Sequence, residues 1–513
     1  MAAPDEVPPS ADTGSTGISL AELGFDLPVP AADLADAAAP QAHEKAPPSP
    51  AEEPVPEAPA VSPLTRAELD KRNAWTRRAI DRLIAAIDRM LSAQVDEILH
   101  HPKTQRLEAS WRGVMWLLRV ADGSKWIRIK LLNMTWMELT RDIDRALEFD
   151  QSQIFDKVYT QEFDTPGGIP YGLIIADYEP TKHPRDIATL RGLASAVGAA
   201  HTPTVLGCSP AVFGVDGFRE LVSTIDLTAL FQRGEFTAWR GFCSSTEDAR
   251  YLGFALPRVL MRKPYRNDGN RADGFVYSET THLRSGRGWL WGSAAYAFGA
   301  VVVRSFATYG WFADIRGAGR DMTGGGLVDD MPTPWFTTDR PGVGIRVPVE
   351  IQLTERQEKE LSDVGFIPLV PARLTAFAAF HSNQSSWVPP RYDKAAARMN
   401  AKLSSMLQQI LCVSRFAHYI KVMARDEVGS FRTADECRDK LMKWLQTYTQ
   451  SNDDAPLETK ARYPLRDADI EVTELVGKPG SFAVVARLQP QFQLDEIGAN
   501  FNLVSTVRTQ DAA

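Results

Sequence analysis

Residues 172 to 208 constrain the fold of this chain most. An apolar run, GLIIADY (172–178), precedes a helical pattern, DIATLRGLASAVGAAH (186–201), and a second apolar run, TPTVLGC (202–208). The two runs read as buried strands and the segment between them as one helix. That order makes a βαβ unit, expected to be parallel and right-handed. The expected fold class is therefore mixed, α/β with α+β, and a nucleotide site is the first function to test. No G-x-G-x-x-G follows the first strand, where the connection is EPTKHPR. GAGRDMTGGG (317–326) lacks a Gly-Lys-Ser/Thr ending, and GKPGS (477–481) has Pro where a phosphate loop continues. Both read as turns.

Catalytic signals are equally absent. The chain has no G-x-S-x-G, no H-E-x-x-H and no cysteine in a recognised nucleophile setting. No catalytic, cofactor-binding or metal-binding residue is nominated. His100-His101-Pro102 reads as a helix end rather than a metal site, because no third ligand lies nearby in sequence. Four scattered cysteines without a CxxC pair fit a reducing compartment. The N-terminus lacks the basic and apolar regions of a secretory signal. A formal charge of −8 argues against nucleic acid or an anionic membrane as the main partner. The uncharged run in GWLWGSAAYAFGAVVVRSF (288–306) ends at Arg304, short of the roughly 20 residues a bilayer needs. It reads as a buried helix.

Upstream, Ile80, Leu83, Ile84, Ile87, Leu91, Val95 and Ile98 recur at three- and four-residue spacing. This predicts a long amphipathic helix from about Thr65 to His100. LEASWRGVMWLLRV (107–120) continues helical, with Trp111, Val114, Met115 and Leu118 on one stripe, and WIRIKLLNM (126–134) reads as a strand. SRFAHYIKVMARDEVGSF (414–431) reads as a core helix with Phe416, Ile420 and Met423 on one face and His418 packed inside. ADIEVTELV (468–476), GKPG and SFAVVARL (481–488) form an expected hairpin, with a third strand at GANFNLVSTV (498–507). Such strands either close a self-contained sheet or offer free edges to another chain.

TERQEKELSDVGFIPL (354–369) poses a sharper question. Thr354 and Gln357 fit a capping box, and Gly365 is placed to end the helix. Six of the nine residues from Glu355 to Asp363 are charged, four acidic and two basic. A helix this polar faces either water or a polar partner. Residues 1 to about 62 are Pro/Ala-rich and acidic, a composition expected to stay disordered, with one apolar island at ISLAELGFDLPVP (18–30).

Eight blocks in order carry a family resemblance: LEASWRG, EFDQSQIFDKVY, TPGGIPYGLIIADYE, LPRVLMRKPY, LWGSAAYAF, ELSDVGFIPL, SRFAHYIKVMARDEVGSF and FQLDEI. Over residues 66 to 510 the chain resembles the large subunit of the type VI secretion contractile sheath, the TssC/VipB-like family. It departs from that family in its longer leader and in a slightly expanded 317–332 segment.

The resemblance implies a structural protein rather than an enzyme, with a phage-tail-sheath-like core. It implies pairing with a small TssB/VipA-like subunit and self-association as a helical polymer in the cytoplasm around an Hcp-like inner tube. A baseplate and a ClpV-like recycling ATPase are further implied partners. No cofactor, nucleic acid or membrane insertion is implied. The expected division is a leader (1–62), a helical region on the small subunit (63–125), an outer domain (126–345) and an inner domain (346–513). Ile80, Leu83, Ile84, Ile87 and Leu91 are expected to pack on the small subunit. Glu355, Glu358, Glu360 and Asp363 would face the tube. Ile470, Val472, Val484, Ala499, Phe501 and Leu503 would lie on strands linking neighbouring subunits. A sheath subunit of another contractile injection machine, or a cytoplasmic α/β enzyme, is the alternative.

Overall fold

The computed structural model describes residues 65–507 except 224–225, 268–274, 276, 283–285, 319–323, 334–346, 373–374, 376, 391, 427–432, 453, 475–481 and 492–500. The leader, the GKPG turn and Ala499 lie outside the described residues. Residues from Thr76 onward form one compact unit, and the described part of the unit before it, 65–75, begins a helix.

That helix, α1 (Arg66–Leu99), is followed by α2 (Pro102–Ala121). His101 caps α2 by accepting from the Lys103 N–H at 3.3 Å, and Pro102 occupies the first helical position, where its missing N–H costs nothing. α2 buries Ala109, Gly113, Trp116 and Leu117. The expected stripe of Trp111, Met115 and Leu118 therefore faces outward. The small residues pack instead, because they let α2 approach a second helix closely. Residues 127–134, expected as a strand, lie in neither helix nor strand and pair with nothing in the described sheets. α3 (Trp136–Arg145) then starts at a Thr135–Glu138 capping box.

β1 (Ile174–Ala176), α4 (Pro184–Ala199) and β2 (Thr204–Gly207) come next, with Ile174 opposite Thr204 in a parallel pair. β3 (Leu252–Leu256) adds in parallel, and β4 (Val259–Leu260) and β5 (Trp291–Gly292) make a separate antiparallel pair. α5 (Ala294–Tyr309) is buried along most of its length. Gly299 sets its approach to the sheet: a Cβ there would sit 2.1 Å from Ile175 Cδ1. β6 (Leu327–Val328), α6 (Glu355–Asp363), β7 (Ile367–Pro371) and β8 (Ala378–Phe380) follow.

The main sheet runs β1-β2-β3-β7-β8-β6, parallel through β7 and antiparallel beyond it. β7 and β8 bond to β3 and β6, so one sheet and its core continue to Phe380.

A further core joins α7 (Leu407–Asp426) and α8 (Ala434–Gln446) to one face of a three-stranded sheet. Its order is β11-β10-β9, from β9 (Leu465–Glu474), β10 (Phe482–Pro490) and β11 (Phe501–Val507). Cys208, Cys243, Cys412 and Cys437 are all buried, and burial pushes the thiols of Cys243 and Cys412 up to about 12. They pack as small apolar groups.

His418 is 1% exposed and its Nε2–H donates to the Ala200 carbonyl at 2.9 Å. Burial, assisted by Arg415, lowers its pKa to about 3, and burial lowers His201 to about 4. Both histidines fold neutral, whereas the unfolded chain takes up protons near pH 6.5. Their stabilisation is complete above that pH and is lost as pH falls toward the folded values. Denaturant unfolding should show stability falling by about 1.4 kcal/mol per pH unit per histidine between pH 6 and 4.5. His418→Gln should remove about half of that slope.

Candidate assembly interfaces

Among the described residues, no constellation of three His, Cys, Asp or Glu side chains could hold a metal ion, and no helix is long and apolar enough to cross a membrane. What the molecule presents instead is unpartnered surface. α1 has 34 residues and buries none. Ile80, Leu83, Ile84, Ile87 and Leu91, with Trp75, Met90 and Ile98, are exposed, Ile87 by 54%. A polar surface helix keeps few such side chains, and an apolar stripe this long marks an interaction face.

The far end of α1 is held by charge. Asp96 Oδ1 accepts from the Tyr277 hydroxyl at 2.6 Å, and His100 Nε2 lies 3.2 Å from Glu279 Oε1. Glu279 (side chain 1% exposed) pairs with Arg262 (6%) at 2.5 and 3.1 Å and accepts from the Tyr265 N–H at 2.9 Å. Arg262 also reaches Glu108 on α2 at 2.6 Å, and Arg112 joins from the next turn at 2.8 Å. Burial alone would raise the Glu108 carboxyl; hydrogen bonds from Arg262 and Arg112 outweigh it and hold the group below the usual range. This knot fixes the corner between α1 and α2 against Arg262, Tyr265, Tyr277 and Glu279. Sequence reasoning did not find it, because no local pattern links positions so far apart in the chain.

Glu279→Ala would leave the Arg262 guanidinium buried without its main counter-ion. Breaking one side of such a pair costs about 3–5 kcal/mol. A thermal melt should show a fall of several degrees, and an unchanged melting temperature would mean the knot does not stabilise the corner.

α6 answers the question of the polar helix. Thr354 Oγ1 accepts from the Gln357 N–H at 3.3 Å, and Gln357 Oε1 accepts from the Thr354 N–H at 3.0 Å. Gly365 (φ +91°) ends the helix, where a Cβ would sit 3.1 Å from the Ser385 and Ser386 carbonyl oxygens. Three of the four acids have partners within the chain. Glu358 accepts from Ser382, and Asp363 pairs with Lys402 at 2.8 Å. Glu360 pairs with Arg356 at 2.7 Å and accepts from the Leu227 N–H at 3.3 Å. Glu355 is exposed and has no ion pair among the described residues. The exposed positions are Glu355, Arg356, Lys359 and Asp363, so the outer face alternates in sign rather than being acidic.

In the C-terminal sheet, β10 is the central strand, with Val484 opposite Val472 on β9 and Ser505 on β11. Ile470 and Val484 are buried against α7 and α8, with Val472 packed beside them. Those three side chains therefore serve the chain's own core. Phe501 and Leu503 stand on β11, opposite Leu488 and Ala486. The open edges belong to β9 and β11, and what such edges offer is backbone.

The tail sheath N-terminal domain family (EvpB/VC_A0108) matches residues 81–387, and the family's tail sheath gpW/gp25-like domain matches residues 396–507. The break between the two matches falls just beyond β8, where the main sheet ends. A relative from Pseudomonas aeruginosa, the type VI secretion system sheath protein TssC1, is 36% identical over 431 residues, covering 83% of this chain and 86% of the relative. Among solved structures, a chain of the anti-feeding prophage baseplate aligns at 10% identity and a TM-score of 0.32, over 76% of this chain and 81% of that chain. A chain of the contracted helical sheath of the same prophage aligns at 10% identity and a TM-score of 0.29, over 64% of each.

Proposed function

The chain belongs to the TssC/VipB family of type VI secretion contractile-sheath large subunits, and from that premise we propose how its surfaces serve assembly. α1 packs its apolar stripe on the small TssB/VipA-like subunit, making the two-chain unit of the polymer. The edges of the C-terminal sheet pair with strands of neighbouring units. α6 lines the lumen against an Hcp-like tube, and the contracted polymer is handed to a ClpV-like ATPase, all in the cytoplasm. The observation that carries this reading is α1, a long helix with an apolar stripe and no buried residue. Obligate hetero-complexes bury large apolar areas of this kind. Co-purification of both chains from cells expressing them together tests it; a monodisperse large subunit indifferent to the small one would refute it.

Pairing through strand edges suits contraction. Each backbone hydrogen bond contributes only about 0.5–1.5 kcal/mol net, so a junction needs several, and they persist while side-chain packing between units changes. The lumen contact is weak by design, since exposed ion pairs contribute about 0–1 kcal/mol each.

The structure separates two variants on α6. Glu355→Lys alters the outer face and one first-turn charge, so it should lower the melting temperature only slightly and reduce the yield of tube-filled sheaths in electron micrographs. Glu358→Lys removes the tie to Ser382 and should lower thermal stability as well. Full assembly of the Glu355→Lys sheath around its tube would make α6 a plain solvated face.

A further inference from the structure

Directly after α2 the chain does something a folded segment seldom does. Residues 127–133 make no backbone hydrogen bond to any described residue, through either N–H or C=O groups. A folded domain normally pairs such groups or leaves them to water at a loop. This stretch has the composition of a strand rather than a loop. Ile127 and Ile129 are half-buried, Arg128 and Lys130 exposed, the two-residue alternation of a sheet edge.

It is also anchored. Ile129 and Met134 pack on the core, Lys130 pairs with Glu162, and the Tyr178 hydroxyl donates to the Met134 carbonyl at 2.5 Å. Its outward side is apolar and basic. Trp126 is 86% exposed, Leu131 and Leu132 are exposed, and Lys125 and Arg128 have no ion-pair partner among the described residues.

We infer that residues 126–133 are a strand-accepting edge that pairs with an acidic β-strand of the partner subunit, a contact additional to the α1 stripe. The backbone groups call for a strand, since only an extended chain can meet successive N–H and C=O groups. Lys125 and Arg128, with no acid between 125 and 134, call for an acidic one. A second copy of this chain fits less well. Two of the four acids on its β9 edge, Asp469 and Glu471 at the middle of the strand, are already matched by Arg487 at 3.3 and 3.4 Å. The outward stripe of α2 (Leu107, Trp111, Met115, Leu118) leads directly into this segment, which extends the unpartnered surface already assigned to the small subunit. The inference rests on that assignment.

The test is hydrogen exchange by mass spectrometry on the full chain, co-expressed and purified with the small sheath subunit of its own gene cluster. Peptides spanning 126–133 should exchange at least about 100-fold more slowly than an unstructured peptide. Lys125→Glu with Arg128→Glu should reduce co-purified small subunit about tenfold with unchanged circular dichroism, whereas Lys125→Arg with Arg128→Lys should not. Unprotected 126–133 amides beside protected amides in 80–98 would overturn the strand inference and leave the α1 pairing standing. Loss of protection in both would overturn the two together. Protection that appears in the large subunit alone would assign the edge to a second copy, and so overturn the choice of partner.

Discussion

Replacing Ile84 and Ile87 with aspartate is expected to strip the small subunit from this chain without unfolding it. Both side chains are more than half exposed and α1 buries nothing, so the core does not register the change. The cost to the free helix is limited to propensity, about 0.5 kcal/mol per site. At an interface the balance is different. Each isoleucine contributes about 1.5–3 kcal/mol when fully buried, and an unpaired carboxylate trapped there adds a desolvation penalty of several kcal/mol. Two sites together exceed about 5 kcal/mol, more than a thousandfold in affinity. Affinity capture of the double variant should recover the large subunit alone, with a wild-type circular dichroism spectrum. Undiminished recovery of the small subunit would mean that the α1 stripe is not where it binds.

Ending the chain after Pro490 should give the opposite separation: pairing survives and polymerisation fails. The truncation removes β11, whose pairing with β10 runs from Phe482–Val507 to Leu488–Phe501. The remaining hairpin keeps its hold on α7 and α8 through Ile470, Val484, Ala486 and Leu488, all of which stay in the chain. The truncated subunit should therefore co-purify with the small one and remain folded. It should nevertheless produce no long tubes, because a junction of several backbone bonds at about 1 kcal/mol each has lost one of its strands. Normal tubes from this truncation would show that β11 is not a link between units.

Local patterns made part of this structure readable in advance. The spacing of Ile80 to Ile98 describes α1, and Thr354 with Gln357 describes the start of α6, because periodicity and capping are set by neighbours in sequence. Facing was harder. α2 has apolar residues on two sides, and the side that packs is chosen by Gly113, whose lack of a side chain admits Tyr296 of α5. Nothing local reveals that choice. Residues 126–134 have the alternation of a strand but no mate among the described residues, so propensity alone overpredicts there. The attachment of β7 to β3 depends on a pairing more than a hundred residues apart, Ala255 with Ile367. The same holds for the acids of α6, whose partners Ser382, Lys402 and the Leu227 N–H lie in distant segments. Counting four acids against two bases suggested an acidic face; the partners turn it into one of alternating sign. The knot around Arg262 is invisible for the same reason, since Glu108 and Glu279 approach it from opposite directions along the chain.

Sheath assembly is tested most directly by co-expressing the full chain with the small sheath subunit from its own gene cluster and viewing the lysate by negative-stain electron microscopy. Hollow, ribbed tubes that contain both chains, and are missing when either is expressed alone, are the expected result. Discrete soluble particles of the large subunit, with the small one absent from them, would contradict it.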